Sequence, residues 1–580
     1  MIHAKKYTLT LVLAVQLTFT AIAQNPENIL AAAGSPPNPK VAISWNRYHD
    51  NTALEEIYRK MVAAHPDLVS LQSIGKSVGG RDLWLLTVTD KTQGQLDRKP
   101  ATYVDGGIHA NEVQTVEFAL YIAWYVTEMH AAGNPFFKQL LAEKTFYIVP
   151  SISPDSRDNF IHHANTPHSS RTGQQPVDND RDGLVDEDDF DDLNGDGHIT
   201  QMRRKSPYGQ YVPDPRDPRR LIRAVEGQEG QYELLGYEGL DNDGDGLVNE
   251  DGVGGYDPNR DWGWNWQPNY VQGGAYKYPF SLPENRAVAD FVLSHRNIAA
   301  GQSFHNYGGM ILRGPGAEED EPNFTREDIS VYDALGKKGE QLIPGYRYIV
   351  TYKDLYSVYG GEFDWLHGAR GIFALSNELW TANYYFNRQQ GSGGPGEQYD
   401  FDQYLMFGDG FVDWQPYDHP QYGEIEIGGF KKNYGRMHPG FLLESDAHRN
   451  AAFVIYHAYH TPQLEVADVE ILDIGSGLKQ VTAVVKNTRI IPTHSAHDIA
   501  HKIEVPDVVS LAGGAVVAGM VVENRDLGIT VEQRNDPANI NVRNIPGNGI
   551  ATVRWLVKGG SKFTVTVDSK KGGIASKSVE

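Results

Sequence analysis

Apolar residues recur along the chain in two rhythms. Leu54, Ile57, Tyr58 and Met61 follow one another at intervals of three and four, the spacing that lines one face of an α-helix. Glu112 to Met129 is longer, keeps the same period and predicts a second helix. Ser281-Leu-Pro-Glu284 sets a proline in a first helical turn, and Ala287 to Leu293 continues that helix. Between these stretches lie short unbroken apolar runs, Leu83 to Val88, Ala101 to Val104 and Thr145 to Val149. Such runs suit strands buried on both faces of a mostly parallel sheet. Strands alternating with helices predict an α/β fold: a mixed, mostly parallel twisted sheet with helices on both faces. In such sheets sites form at the carboxyl ends of the strands.

The rhythm changes near Pro462. Leu464 to Leu472, Lys479 to Val485, Ala515 to Val522, Ile529 to Val531 and Phe563 to Val567 are β-rich, with Gly, Asn and Pro between them. Helical periodicity disappears, which predicts a separate β-sandwich over 461–580. The α/β region is expected over 45–460, preceded by a tether at 24–44 rich in Pro, Ala and Asn. Lys5 and Lys6 precede an apolar run from Leu9 to Ala23, which ends in Ala21-Ile22-Ala23. This is the pattern of a signal peptide over 1–23 cut before Gln24, and it predicts a secreted or periplasmic protein. The run is short for a bilayer span, and no other stretch is long and apolar enough, so no membrane span is expected.

Composition narrows the picture. A chain of 580 residues exceeds one ordinary core, and 40% hydrophobic with 22% charged residues is the balance of a folded protein. The net charge of -23 argues against nucleic acid as a partner, because phosphate binding needs clustered Lys and Arg. Much of the acidity is confined to 176–255, in Asp178-Asn-Asp180-Arg-Asp182-Gly183, Asp192-Leu-Asn194-Gly-Asp196-Gly197 and Asp241-Asn-Asp243-Gly-Asp245-Gly246. Oxygen ligands at alternate positions with Gly sixth can converge on one hard cation. Asp186 or Asp189 extends the first stretch, and Glu250 or Asp251 the third. The repetition predicts structural calcium, pinning an insertion expected to have no core of its own; the alternative is a solvated acidic loop. There is no cysteine, so a zinc site has to be built from His and carboxylates, the usual ligands of catalytic sites.

His109-Ala-Asn-Glu112 follows the Ala101 to Val104 run and opens the long helix. Two ligands three apart at a strand-to-helix junction can reach one metal. Alone the pair says little, since 20 His and 75 acidic residues produce several such matches by chance.

Its company is more specific. Gly75-Lys-Ser77 with Gly80-Arg81, Gly107-Ile-His109-Ala-Asn-Glu112, Asp257-Pro-Asn259-Arg260, Phe304-His305-Asn-Tyr307, Tyr356 to Trp365 and Ala374-Leu-Ser-Asn-Glu378-Leu379 occur in that order. Together they resemble the zinc metallocarboxypeptidases of the carboxypeptidase A and B type, over most of residues 45–460. The resemblance implies that His109, Glu112 and His305 hold one zinc and leave a position for water. It makes Asp257 the carboxylate that orients His109 and Glu378 the acid–base group. Asn259 and Arg260 then grip the free carboxylate of a peptide substrate, and Tyr356 closes over it. Phe363 takes the position at the base of the pocket for the last side chain. Apolar or aromatic termini would follow, although Glu362 and Asp364 flank it. An oxyanion arginine is expected in Met202-Arg203-Arg204-Lys205: gap-free matching favours Arg204, and Arg203 stays open. Asn111 departs from the family, whose digestive members often carry Arg there, and this puts contacts upstream of the cleaved residue in doubt. The implied activity is removal of C-terminal residues from peptides and proteins with a free C-terminus. The alternatives are a cell-wall peptide hydrolase of the same fold and a non-catalytic binding protein built on it.

Overall fold

The structure is a computed structural model that describes residues 30–169, 171–178, 181–381 and 396–580. The predicted signal peptide and Asp180 lie outside the described residues.

The centre is an eight-stranded mixed sheet. Thr145–Val149, Ala101–Asp105, Ile298–Asn306 and Phe373–Leu379 lie side by side and parallel. Val69–Lys76 and Asp82–Val88 extend one edge in antiparallel fashion. Met310–Arg313 pairs antiparallel with Phe373–Leu379 and parallel with Arg347–Val350 at the other edge. All nine residues of Ile298–Asn306 are buried, which is why this part of the chain reads as an unbroken apolar run rather than an alternating one.

Helices cover both faces, as the alternation of elements predicts. Phe146 and Ile148 join a core with the Asn51–Ala64, Gln114–Ala131 and Gly440–Tyr459 helices. Tyr147 and Val149, one residue out of phase, join the opposite core with Pro283–Ser294 and Glu362–Arg370. Leu54, Ile57, Tyr58 and Met61 form the buried stripe of the first helix, and Asp50 caps it by accepting the Ala53 N–H at 2.8 Å. Each such side chain, fully buried, contributes about 1.5–3 kcal/mol.

A second sheet adds to the elements that the sequence predicts. Gln201–Lys205, Tyr211–Asp214, Asp217–Arg223 and Tyr232–Tyr237, all inside the Asp-rich insertion, pair with Phe411–His419 and Gly423–Phe430 in six strands. Met202, Ile425 and Ile427 form its core. The expectation of a coreless insertion is therefore corrected: distant strands complete it.

The C-terminal region is a sandwich of a five-stranded and a four-stranded antiparallel sheet. Both contribute to one core, which holds Trp555, Phe563, Val481 and Val509. It is tied to the α/β region by buried polar contacts. Lys144 Nζ donates to the carbonyls of Thr461 at 3.1 Å and Pro462 at 2.8 Å. Lys571 Nζ donates to those of Arg370 at 2.8 Å and Gly371 at 3.1 Å. Among the described residues no helix is long and apolar enough to cross a membrane.

Candidate active site

The parallel strands deliver their chemistry at their carboxyl ends. After Ala101–Asp105 the chain turns sharply through Gly106 and Gly107. A Cβ on Gly106 would lie 2.6 Å from the Thr115 carbonyl oxygen, and Gly107 has φ +64°, so only glycine fits this close return. The turn sets His109 and Glu112 just ahead of the Gln114–Ala131 helix. In the neighbouring strands the register pairs Glu378 directly with His305.

Three ligand residues converge there. His109 Nδ1 lies 3.1 Å from His305 Nδ1 and 3.2 Å from Glu112 Oε1, and Glu112 Oε2 lies 3.4 Å from His305 Nδ1. Tetrahedral zinc, with bonds of about 2.0–2.1 Å, holds its ligand atoms about 3.3 Å apart, so the donor set and its spacing fit the ion. Two imidazoles, one carboxylate and no thiolate is also the donor set of a catalytic rather than a closed structural zinc. His109 Nε2 lies 2.8 Å from Asp257 Oδ1 and 2.9 Å from Arg171 Nη2; the tautomer in which Nε2 carries the proton and donates to the carboxylate is the one that leaves the Nδ1 lone pair facing the other two ligands. Burial opposes charge on Glu112, yet His109, His305 and Arg171 hold it well below the ordinary carboxylate range. Burial is likewise outweighed at Asp257, by Arg260, His109 and Arg171.

Glu378 has the opposite environment. Burial pushes its carboxyl up to about 7, with Glu112 adding to the rise and His305, Arg171 and Arg436 opposing it. It lines a cleft of about 340 Å³ together with Glu112, Arg171, Tyr307, Tyr356 and Arg436. Tyr356 is half-exposed at the rim. Asn259 and Arg260 are buried beside Asp257. Asn259 places Nδ2 3.3 Å from His305 Nε2 and accepts the Glu362 N–H at 2.9 Å, while Arg260 Nη1 lies 3.7 Å from Asp257 Oδ2.

The arginines expected near the metal are elsewhere. Arg203 and Arg204 lie on Gln201–Lys205 of the second sheet. Arg203 Nε donates to Glu426 at 2.7 Å, and its guanidinium stacks 4.2 Å from the Tyr232 ring and 4.1 Å from that of Trp414. Arg204 pairs with Glu233 at 2.9 Å. Both are engaged by partners within that sheet, and neither lines the cleft. A cation that does reach the ligands is Arg171, whose Nη1 donates to Glu112 Oε1 at 2.8 Å and whose Nη2 lies 3.5 Å from Asp257 Oδ2. Arg171 stands immediately before the insertion and Asp257 immediately after it, so excising the intervening residues would have brought the two together in the sequence. Arg436, on the loop between Gly423–Phe430 and Gly440–Tyr459, had no such signal.

Phe363 also differs from expectation. It is buried in the core beneath the sheet with Trp262, Trp365 and Leu366 and is not among the residues lining the cleft. Helix phase explains this: one residue earlier, Glu362 turns toward the site. Its Oε2 accepts from Ser303 Oγ at 3.0 Å, and the same hydroxyl lies 2.7 Å from Asp105 Oδ1. Burial and the nearby Asp105 carboxyl raise Glu362 well above the ordinary carboxylate range.

In the Asp-rich stretches the carboxylates mostly accept backbone N–H groups of their own loops. Asp178 accepts from Arg181 and Gly183, and Asp182 from Leu184. Asp192 accepts from Gly197, Asn194 from Asp196, and Asp196 from His198. Asp241, Asp243 and Asp245 offer oxygens within 4.8 Å of one another, as do Asp188, Asp243 and Glu250.

A three-ligand metal cradle with a carboxylate beside it, at the open ends of parallel strands, is the layout of a metallohydrolase. The chain belongs to the zinc carboxypeptidase family (Peptidase_M14), whose model matches residues 54–214 and 232–392, more than half of its length, and it is a zinc metallocarboxypeptidase. Residues 463–580 match a domain of unknown function, DUF8731. Carboxypeptidase B of Astacus astacus is 23% identical over 355 residues, which cover 59% of this chain and 90% of the relative. Carboxypeptidase A1 of Sus scrofa is 23% identical over 395 residues, covering 65% and 72%. Among solved structures, thrombin activatable fibrinolysis inhibitor aligns with a TM-score of 0.43 at 18% identity, over 73% of this chain and 77% of that one.

Proposed function

We propose that this chain is an exported carboxypeptidase that removes the last residue of peptides bearing a free C-terminus. In this reading His109, Glu112 and His305 hold zinc, which when bound polarises a carbonyl and acidifies water. Glu378 takes the proton from the attacking water and passes it to the leaving amine, so that a C–O bond forms as the amide C–N bond breaks. Arg171 stabilises charge developing on the carbonyl oxygen. Asn259 and Arg260 grip the terminal carboxylate, and an internal peptide bond offers no such anion. Tyr356 closes the rim.

The observation that carries the reading is Glu378, paired in register with His305 and raised to about 7, beside three converging ligands. The Glu378→Gln variant tests it on a peptide with a free C-terminus and on the same peptide amidated. Wild type is expected to cleave only the free peptide, and the variant to lose about 100- to 10,000-fold in kcat while retaining its metal. Undiminished activity in the variant removes Glu378 from its role. A wild type inert on every free peptide favours a binding protein.

The region 45–460 is proposed as the catalytic domain, and 461–580 as an accessory sandwich that braces it. Export rests on the signal-peptide pattern ahead of Gln24. Calcium in the Asp-rich stretches is proposed on the convergence of Asp241, Asp243 and Asp245. A melting temperature unmoved by calcium or by its chelation would remove it.

A further inference from the structure

The carboxypeptidase reading accounts for Arg171 and Arg260 but gives Arg436 no task. Arg436 is nevertheless a wall of the same cleft as Glu378 and Tyr356. Its Nη2 donates to the Asn306 carbonyl at 2.9 Å, and its guanidinium lies 4.6 Å from the centre of the Tyr307 ring. Its own carbonyl accepts from Asn306 Nδ2 at 2.7 Å and from Gln114 Nε2 at 3.0 Å. Both ends of the residue are thus fixed against the strand that carries His305. Nη1 lies 3.2 Å from His168 Nδ1, while Nε is buried without a hydrogen-bond partner. The residue falls outside the stretches matched by the family model, which end at 392.

Its position along the site is given by a chain of charges. Arg260 lies 3.7 Å from Asp257, Asp257 3.5 Å from Arg171, Arg171 2.8 Å from Glu112, and Glu112 3.9 Å from Arg436. Arg260 and Arg436 occupy opposite ends of this series. Arg436 shares the cleft with Glu378, beside which the scissile bond lies in the carboxypeptidase reading, and its contacts are with Asn306, Tyr307, His168, Gln114 and Glu112 rather than with Asn259 or Arg260. With the terminal carboxylate at Arg260, the part of the peptide left to meet Arg436 is the upstream part. A guanidinium there, pinned on one side and facing a cleft on the other, is built to receive an acceptor.

We propose that Arg436 is a specificity-determining residue that reads the peptide upstream of the scissile bond and favours an acidic side chain within the two residues preceding the one released. The proposal rests on the carboxypeptidase reading, but it fails differently.

The test is kcat/KM of the zinc-loaded full chain on matched peptides. Their last residue is constant, and Glu, Gln or Lys is placed in turn at each of the two upstream positions. Wild type is expected to favour Glu over Lys by about tenfold at one of them, the scale of one charge-assisted contact at a partly open site. Arg436→Gln should bring that ratio to near one, mainly through KM, and Arg436→Lys should restore part of it. Equal wild-type values for Glu and Lys overturn the proposal, and so does a Gln variant that slows every peptide by the same factor and keeps the ratio. Should Arg436→Gln fail to fold, salt decides in the wild type. A preference that shrinks as ionic strength rises supports the contact, and one indifferent to salt overturns it. A wild type that binds zinc but cleaves none of the peptides overturns the carboxypeptidase reading itself, an outcome distinct from cleavage without discrimination.

Discussion

His494 anchors a buried charge cluster where the C-terminal sandwich meets the α/β region, and its energetics can be worked through. Nδ1 lies 3.1 Å from Asp498 Oδ2 and Nε2 3.3 Å from Asp507 Oδ1, and all three residues are buried. Burial disfavours the imidazolium, but the two carboxylates outweigh it and raise the ring from 6.5 to about 9. That rise corresponds to roughly 3 kcal/mol of stability at about 1.4 kcal/mol per unit. Asp498 falls to about 2. This is largely the same contact seen from the other partner and is not added. Because the folded pKa is the higher one, the stabilisation is complete below about pH 6.5 and is lost as pH rises through about 9. The perturbation is His494→Gln, which keeps hydrogen-bonding capacity but carries no charge. Calorimetric melts at pH 6 should place the sandwich transition of the variant lower by on the order of 10 °C, and the gap should close by pH 9.5. A gap of equal size at both pH values would refute the account, because it would mean that shape rather than charge is lost.

Three further outcomes follow from the site. The acid limb of kcat/KM should fall at or below about pH 7, since Glu378 is raised to about 7 and a bound cation can only lower it; a pH profile of wild type checks this, with activity lost as the carboxylate is protonated. Asp257→Asn should weaken zinc by about 10- to 100-fold, read by titration against a competing chelator, because His109 Nε2 loses its charged acceptor. Arg171→Ala should cost about 100- to 1,000-fold in kcat, whereas Arg203→Ala should leave kcat/KM within a few-fold and instead lower the melting temperature, since Arg203 is held by Glu426, Tyr232 and Trp414.

What could be read from the sequence was whatever a single element carries. His109 and Glu112 share one strand-to-helix junction, and His305 and Glu378 sit near the ends of two strands, so local pattern and order along the chain were enough. Arg171 is hidden because the insertion separates it from Asp257, while the motif match points to Arg203 and Arg204 inside the excursion. The six-stranded sheet escaped because Gly423–Phe430 pairs with Gln201–Lys205 across about two hundred residues, a distance at which periodicity carries no information. Phe363 was misplaced by one step of helix phase, which a matched motif does not resolve. The same step sends Phe363 to the core and Glu362 to Ser303.

The second sheet reaches the cleft through three exits: the chain enters its excursion just after Arg171, returns at Asp257, and passes from Gly423–Phe430 through Arg436 to the last helix of the α/β region. A change of loop length within that sheet would therefore bear on the mouth of the cleft while the central strands, and the turn that carries His109 and Glu112, stay as they are. In the proposed enzyme, selectivity would then be tuned from outside the central sheet, and a protein engineer would begin with the excursion rather than with the residues around the metal.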